Sequence, residues 1–584
     1  MSHADPFADA LAKHRAGQRR EAEAIYRAIL QSQPDHPDAL HYLGLLSYQT
    51  GRLDAALELM RRAVALRPDV AHFHGNLGNA LRAAGRPDEA IAAYQEALRR
   101  NPGSCAALVN LGNTLWEAGR PEDALRSFDA ALRQDGRLAE AHGGAGLALK
   151  DLGLLDEALA AFDEAIRLAS QLAAAESNRL YTLNYLPGWS PQRIFDEHRA
   201  WAIRRADPLS SGAPPAVVER SSGRRLRLGY VSAHFRDHAV NFFVEPILAS
   251  HQRDRFEVFC YSDVAAPDAV TKRLMASVEH WRSIVGLGDV DVAQQIRDDG
   301  IDILVDLAGH LGGNRLLAFA RRPAPIQVTY LGYQATTGLA AMDYRLTDAV
   351  ADPPGATEAW HTEQLVRLPG AFFCYRPPDE SPEVSAAPCL ASGTITFGSF
   401  NAFAKVTTRT LDVWARVLER VAGSRLQLLA PPGESTPRRV LAHFARRGIA
   451  EDRLRFVTRS RRREYLAMHH AVDIALDSFP FTGHTTTCDA LWMGVPVVTL
   501  CGASYTQRFG ASPLVAVGLE ELVATSEDEY VARAVELACD PGRIDRMRRT
   551  LRERMRGSAL LDFAGFTAGL ERVYEELWHR AGGA

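Results

Sequence analysis

No stretch of the 584-residue chain approaches the run of about 18 uncharged apolar residues that a membrane-spanning helix needs. The opening MSHADPFADALAKHRAGQ has no apolar core of the kind a secretory leader carries. Cysteine is sparse, with seven residues (105, 260, 374, 389, 488, 501, 539) and no CxxC pair. That scatter argues against disulfides and structural zinc and for reduced thiols in a cytoplasmic protein. Excess charge is missing too. A net charge of −4 and a pI near 6.6 give no general attraction to nucleic acid or an anionic membrane. Two nucleotide signatures are also absent. No GxGxxG follows the first strand-like run and no GxxxxGK[ST] occurs. Dinucleotide oxidoreductases and P-loop NTPases therefore lose support.

What the chain does contain begins with a repeat. Ala22, Ala56, Ala90, Ala124 and Ala158 stand 34 residues apart, as do Gly17, Gly51, Gly85, Gly119 and Gly153. Tyr26, Met60, Tyr94, Phe128 and Phe162 keep the same period, and Leu-Gly pairs fall in phase at 43–44, 77–78 and 111–112. This pattern resembles the tetratricopeptide repeat, a helix-turn-helix unit. The small Ala lets two helices approach, the bulky residue fills the gap, and Gly permits the turn. An array over residues 3–170 is expected to form an α superhelix whose concave face binds peptides. Asn76, Asn79, Asn110 and Asn113, in two NLGN boxes, are placed to hydrogen-bond an extended peptide backbone, or else simply to solvate their helices. Helical texture continues past 170, and PLSSGAPPAVVERSSGRR (208–225) reads as a linker, giving an extension over 171–225.

From 226 onward short β-rich runs alternate with helical segments. The first half offers runs at 226–232, 256–262, 301–309, 326–332 and 342–348, and the second at 394–400, 425–431, 453–458, 472–477 and 496–502. Apolar runs so spaced predict parallel sheets with helical crossovers, hence two Rossmann-like halves (226–390 and 391–584) divided by a loop at 375–393. Ligands of such folds sit beyond the carboxyl ends of the strands.

Three stretches at those ends carry chemistry. In GHTTTCDALWMG (483–494), Gly483 allows close backbone approach, while Thr485, Thr486 and Thr487 add hydroxyls beside free helix N–H groups. A phosphate or diphosphate fits such an N-terminus. The plainer alternative is a Ser/Thr-type helix cap, for which one Thr would do. Asp489, a turn further on, could accept from ribose hydroxyls. In SFNAFAK (399–405), Lys405 is placed to neutralise a diphosphate leaving group, though a surface lysine would look the same. In HFRDHAVNFF (234–243), His238 suits proton transfer or substrate positioning, as well as a purely structural place. The basic run Arg459, Arg461, Arg462, Arg463 precedes Tyr465, whose ring could stack on a base.

The chain resembles the nucleocytoplasmic O-linked N-acetylglucosaminyltransferase family, especially its bacterial members, nearly end to end. The specific pieces are GYVSAHFRDH (229–238), RPAPIQVTYLGYQATTG (322–338), MDYRLTD (342–348), SFNAFAK (399–405) and GHTTTCDALWMGVPVVT (483–499). The resemblance implies tetratricopeptide repeats followed by an α/β glycosyltransferase of the GT-B type, two lobes facing a cleft. It implies inverting transfer of N-acetylglucosamine from UDP-GlcNAc to Ser or Thr of a protein acceptor, with no metal or other cofactor. His238 matches the family's active-site histidine, assigned either as general base or to positioning. Lys405 matches the lysine on the diphosphate. His484, Thr485 and Thr486 match the phosphate-binding helix start, and Asp489 the ribose ligand. Arg462 falls at a lysine near the nucleotide, and Tyr465 at a histidine that stacks on uracil. Ala402 departs from the Gln of animal members, which contacts the diphosphate. SPINDLY-type relatives share the TTTC element but lack the His of GHTTT and use GDP-fucose, so His484 favours UDP-GlcNAc, with GDP-fucose or another nucleotide sugar as the alternative. A non-catalytic repeat scaffold is the competing class. Pairing of two copies through exposed repeat faces is a further expectation.

Overall fold

A computed structural model describes residues 5–169, 171, 173–210 and 224–582. Most of the expected linker, 211–223, lies outside the described residues. The chain forms two compact units, Met1–Leu149 with Ala160–Gln171, and Lys150–Leu159 with Leu172–Ala584. Among the described residues no helix is long and apolar enough to cross a membrane.

The first unit is built on antiparallel helix pairs such as Pro37–Gln49 with Leu53–Leu66, Ala71–Ala83 with Pro87–Arg100, and Cys105–Glu117 with Pro121–Gln134. The phased residues do what their period predicts. Ala22, Ala56, Ala90 and Ala124 are fully buried, as are Tyr26, Met60, Tyr94 and Phe128. Met60, Tyr94 and Phe128 fill the space left by the glycines of the Leu-Gly pairs, Gly44, Gly78 and Gly112. A Cβ on Gly78 would lie 2.7 Å from Tyr94, and one on Gly112 2.6 Å from Phe128. The asparagines form internal links. Asn76 Nδ2 lies 3.0 Å from His41 Nε2, Tyr94 OH donates to Asn79 Oδ1 at 2.7 Å, and Asn110 Nδ2 donates to the same oxygen at 3.0 Å. Asn113 is half-buried on the same helix face as Asn110. Asn79 thus spends its carbonyl on two neighbours within the array.

The second unit holds two parallel sheets. The first contains β1 (Leu226–Ser232), β2 (Phe256–Ser262), β3 (His280–Ser283), β4 (Ile303–Asp306), β5 (Ile326–Thr329), β6 (Tyr344–Thr347) and β7 (Gln364–Arg367), in the order β3-β2-β1-β4-β5-β6-β7. The second contains β8 (Thr396–Ser399), β9 (Arg425–Leu429), β10 (Leu454–Val457), β11 (Ile474–Leu476), β12 (Val497–Leu500) and β13 (Val523–Ala524), in the order β10-β9-β8-β11-β12-β13. Central strands β4, β5 and β12 are buried at every position, as continuous apolar runs require when helices cover both faces. Edge strands β3 (HWRS) and β7 (QLVR), half-exposed and charged, and the two-residue β13 had no apolar run to announce them.

Two stretches sit otherwise than their sequence implies. Tyr375, at the start of the dividing loop, is fully buried, and its N–H donates to Leu560 O at 2.7 Å. The last helix, Phe563–Gly582, returns to the first sheet rather than completing the half assigned to 391–584. Glu571 on that helix accepts from His251 Nδ1 at 2.9 Å and from Gln252 N at 2.8 Å.

Candidate active site

The carboxyl ends of β8 and β11 lie side by side in the second sheet, and both loops leaving them carry site residues. After β11 comes Asp477, buried, with four donors on its carboxylate. They are Ser478 N at 2.9 Å, Gly483 N at 2.7 Å, Asn401 Nδ2 at 3.0 Å and Thr499 Oγ1 at 2.7 Å. These bonds fold loop 478–484 back so that helix Thr485–Trp492 starts at the strand end. Gly483 is required there, since a Cβ would lie 2.7 Å from both Thr486 Oγ1 and Thr487 Oγ1.

That helix start is not capped by its threonines. The N-cap residue is His484, which makes no side-chain cap hydrogen bond. Thr486 Oγ1 turns away and donates to Asn401 Oδ1 at 2.7 Å. Because Asp477 can only accept, Asn401 must present Nδ2 to it and Oδ1 to Thr486. The Thr486 hydroxyl proton is therefore committed to the protein. Thr485 Oγ1 makes no hydrogen bond among the described residues and is half-exposed. The first-turn N–H groups are left as unpaired donors at the positive end of the helix dipole.

Lys405 closes a short 3₁₀ turn, Phe403–Lys405, after β8. Its Nζ donates to Thr482 O at 2.7 Å and lies 4.3 Å from the centre of the Phe481 ring. Burial pulls its pKa down to about 8, against the opposing pull of Asp477. Ala402 precedes this turn with an exposed methyl, and its carbonyl accepts from Lys405 N at 2.9 Å.

The first lobe meets this site through helix Asn241–Ser250, directly after the His238 loop. Phe243 stacks on His484 with ring centres 4.4 Å apart, and Phe373 meets the same imidazole edge-on at 4.2 Å. Burial and the Lys405 charge push His484 down to about 3, and its Nε2 has no partner. His238 accepts the Val240 N–H on Nδ1 at 3.3 Å and packs against His234 at 4.3 Å. Burial, with His234, Arg236 and Arg459 nearby, pushes His238 to about 3. The neutral ring thus carries its proton on Nε2 and presents a donor.

The expected ribose and base ligands are closed over in this structure. Asp489 is 1% exposed and bonds Tyr375 OH at 2.5 Å and Arg462 through both guanidinium Nη atoms, Nη1 at 2.7 Å. Burial works against the Arg462 charge, but Asp489 holds its pKa above the ordinary range. The guanidinium lies 4.3 Å from Phe242 of the first lobe and 5.4 Å from Tyr465. The Tyr465 ring is packed among Phe400, His469 and Arg462 rather than open for stacking, and its hydroxyl has no partner. Buried orphan atoms gather nearby, on Ser399 Oγ, Ser460 Oγ and Arg462 Nε. Asn401, Asp477 and Tyr375 went unassigned from sequence. An Asn inside SFNAFAK and an Asp ending VDIALD were available signals, whereas the buried role of Tyr375 was hidden in a Pro-rich loop.

The model of glycosyl transferase family 41 matches residues 198–376 and 385–570. The chain belongs to glycosyl transferase family 41. Tetratricopeptide models match 7–71, 51–105, 81–143 and 139–172, so the protein joins a repeat array to a family 41 GT-B unit. It is 41% identical over 413 residues to the tomato (Solanum lycopersicum) probable UDP-N-acetylglucosamine–peptide N-acetylglucosaminyltransferase SPINDLY, covering 70% of this chain and 44% of that protein. It is 31% identical over 387 residues to the Arabidopsis thaliana protein SEC, named as the same probable activity, covering 63% of this chain and 39% of that one. The chain thus spans less than half the length of these plant relatives. A solved structure of a point mutant of Thermobaculum terrenum O-GlcNAc transferase aligns with a TM-score of 0.83 and 36% identity, covering 88% of this chain and 98% of that one.

Proposed function

We propose that this family 41 protein transfers N-acetylglucosamine from UDP-GlcNAc to Ser or Thr hydroxyls of a protein acceptor, with inversion and without a metal. The observation that carries the reading is the uncapped helix start at His484–Thr485. Three threonines stand there, yet the N-cap makes no side-chain bond, and a half-buried lysine lies two residues away at Thr482 O. Donors left unsatisfied beside a desolvated cation fit a diphosphate.

In this reading the first-turn N–H groups, Thr485 Oγ1 and Lys405 take the charge that builds on the departing diphosphate. The acceptor oxygen bonds to the anomeric carbon as the bond from that carbon to the phosphate oxygen breaks. His238, with a pKa near 3 and its proton on Nε2, is a poor base and acts by positioning. The proton of the acceptor hydroxyl passes to an oxygen of the departing diphosphate, the base that the reaction itself supplies. Asp489 receives the ribose once Arg462 swings aside, and Arg462 is then free to meet the nucleotide. The repeat array presents the acceptor, with Asn113 the asparagine whose side chain is not tied to a neighbour among the described residues. A reduced, cytoplasmic setting suits buried thiols such as Cys260, Cys374 and Cys488.

Thermal denaturation with UDP, UDP-GlcNAc and GDP-fucose tests this reading, since a ligand held at 100 times its Kd stabilises the fold by about 2.7 kcal/mol. UDP and UDP-GlcNAc are expected to raise the melting temperature. Stabilisation by GDP-fucose alone would replace the donor, and stabilisation by none of the three would leave a repeat scaffold.

A further inference from the structure

Five glycines mark the repeat turns in phase, all with left-handed backbone, at φ +77, +75, +70, +72 and +73 for Gly17, Gly51, Gly85, Gly119 and Gly153. At the first four, an added Cβ would meet nothing within 4 Å. Gly153 differs. A Cβ there would lie 3.0 Å from Phe403 Cδ1, 3.1 Å from Cε1 and 3.4 Å from the Phe403 carbonyl. Residues Lys150–Leu159 belong to the catalytic unit, so this is packing within that unit. Phe403 is the first residue of the 3₁₀ turn that ends in Lys405 and is 5% exposed. Arg439, from helix Ser435–Ala445, ties the contact down. Its Nη2 donates to the Leu152 carbonyl while its guanidinium lies 5.8 Å from the Phe403 ring centre.

The other side of Lys405 is braced by the helical segment that follows. Phe481, the ring beneath the ammonium, stacks on Tyr185 with centres 4.5 Å apart and planes 15° apart, and Tyr181 meets it edge-on at 6.2 Å. Lys150 Nζ lies 5.4 Å from the centre of the Tyr181 ring. Residues 150–153 and 181–185 therefore bracket the lysine from both sides.

A three-residue 3₁₀ turn has poor hydrogen-bond geometry and cannot aim a four-carbon side chain by itself. Groups that must meet a transition state are held by packing around them. We propose that the Leu152–Gly153 turn, Arg439 and Tyr185 are positioning residues for Lys405, setting the place and the dryness of its ammonium at the diphosphate. The proposal rests on the reading of Lys405 as a diphosphate ligand. The groups facing the ammonium are the Asp477 carboxylate, the Thr482 carbonyl and the neutral His484 ring.

The test is UDP affinity of the full chain, measured by calorimetry across pH 6–10, for Gly153→Ala, Gly119→Ala, Tyr185→Leu and Lys405→Met. Gly119→Ala carries the same backbone penalty without a neighbour and is expected to bind like wild type. Gly153→Ala and Tyr185→Leu are each expected to weaken UDP about tenfold at pH 7, the scale of a small misplacement of a charged contact. Both should also move the alkaline loss of affinity upward, as water reaches the ammonium. If Gly153→Ala does not fold, Tyr185→Leu decides. Wild-type affinity and an unshifted alkaline limb in both variants, with Lys405→Met impaired, would overturn the positioning alone. Full UDP affinity in Lys405→Met would remove the lysine's role and the proposal with it.

Discussion

At the scale of single residues, the proposed role of Lys405 predicts a pH dependence of defined direction. On the proposed reading a diphosphate meets the ammonium form, and burial has brought the pKa of Lys405 down to about 8. Bound anion raises it again, so binding takes up a proton above that pH. Affinity is then complete below pH 8 and falls by up to about tenfold per unit above it, until the pKa of the liganded site is reached. Calorimetry of UDP from pH 6 to 10 checks this, and a flat profile would show that the lysine does not meet the phosphates. The threonines separate in the same way. Thr486 already donates its hydroxyl hydrogen bond to Asn401 Oδ1, at 2.7 Å. Thr485→Val is therefore expected to cost more UDP affinity than Thr486→Val, by about 1 kcal/mol, the net worth of one hydrogen bond. Equal losses would mean that Asn401 releases Thr486 when ligand arrives.

At the scale of elements, the repeat array tests a packing rule with its own internal control. Gly112→Ala places a methyl 2.6 Å from Phe128 in a helix-helix contact, with a cost expected near 1–3 kcal/mol for overpacking. Gly119→Ala meets no neighbour and carries only the left-handed backbone penalty, about 1 kcal/mol. Urea denaturation should rank them in that order. This contrast also shows which elements the sequence could reveal. Phased Ala, Gly and aromatic columns announced helix pairs, because each position has one neighbour at a fixed offset. Buried strands such as β4 and β12 announced themselves as unbroken apolar runs. Charged β3 and β7 did not, since an edge strand is defined by what it pairs with. In the site, the positions of Lys405 and the threonine helix start were legible from strand-end placement and family resemblance. The closure of Asp489 by Arg462 and Tyr375 was not, because those partners lie 27 and 114 residues away and meet only in the folded chain.

At the scale of the whole molecule, the chain's last helix bears on how the catalytic unit is held together. Phe563–Gly582 follows the second sheet in sequence yet lies on the first lobe, fixed by a buried polar chain. His251, fully buried and held neutral by desolvation, lies 2.8 Å from the Tyr230 hydroxyl through Nε2 and donates Nδ1–H to Glu571. Glu571 takes a second hydrogen bond from Gln252 N and is 1% exposed. Glu571→Ala would strand both donors in an apolar layer beside Tyr574 and Phe256, where water cannot replace the carboxylate. A loss of about 3 kcal/mol is expected, the cost of leaving two buried donors unsatisfied. Glu571→Gln keeps Oε1, the one oxygen that takes both donors, and should lose less than half as much. Because the contact joins the end of the chain to the start of the first lobe, its loss should lower the melting temperature of the catalytic unit as one transition. A variant that melts the last helix alone, with the sheets unaffected, would show that the returning helix is an appendage and not part of the first lobe's fold.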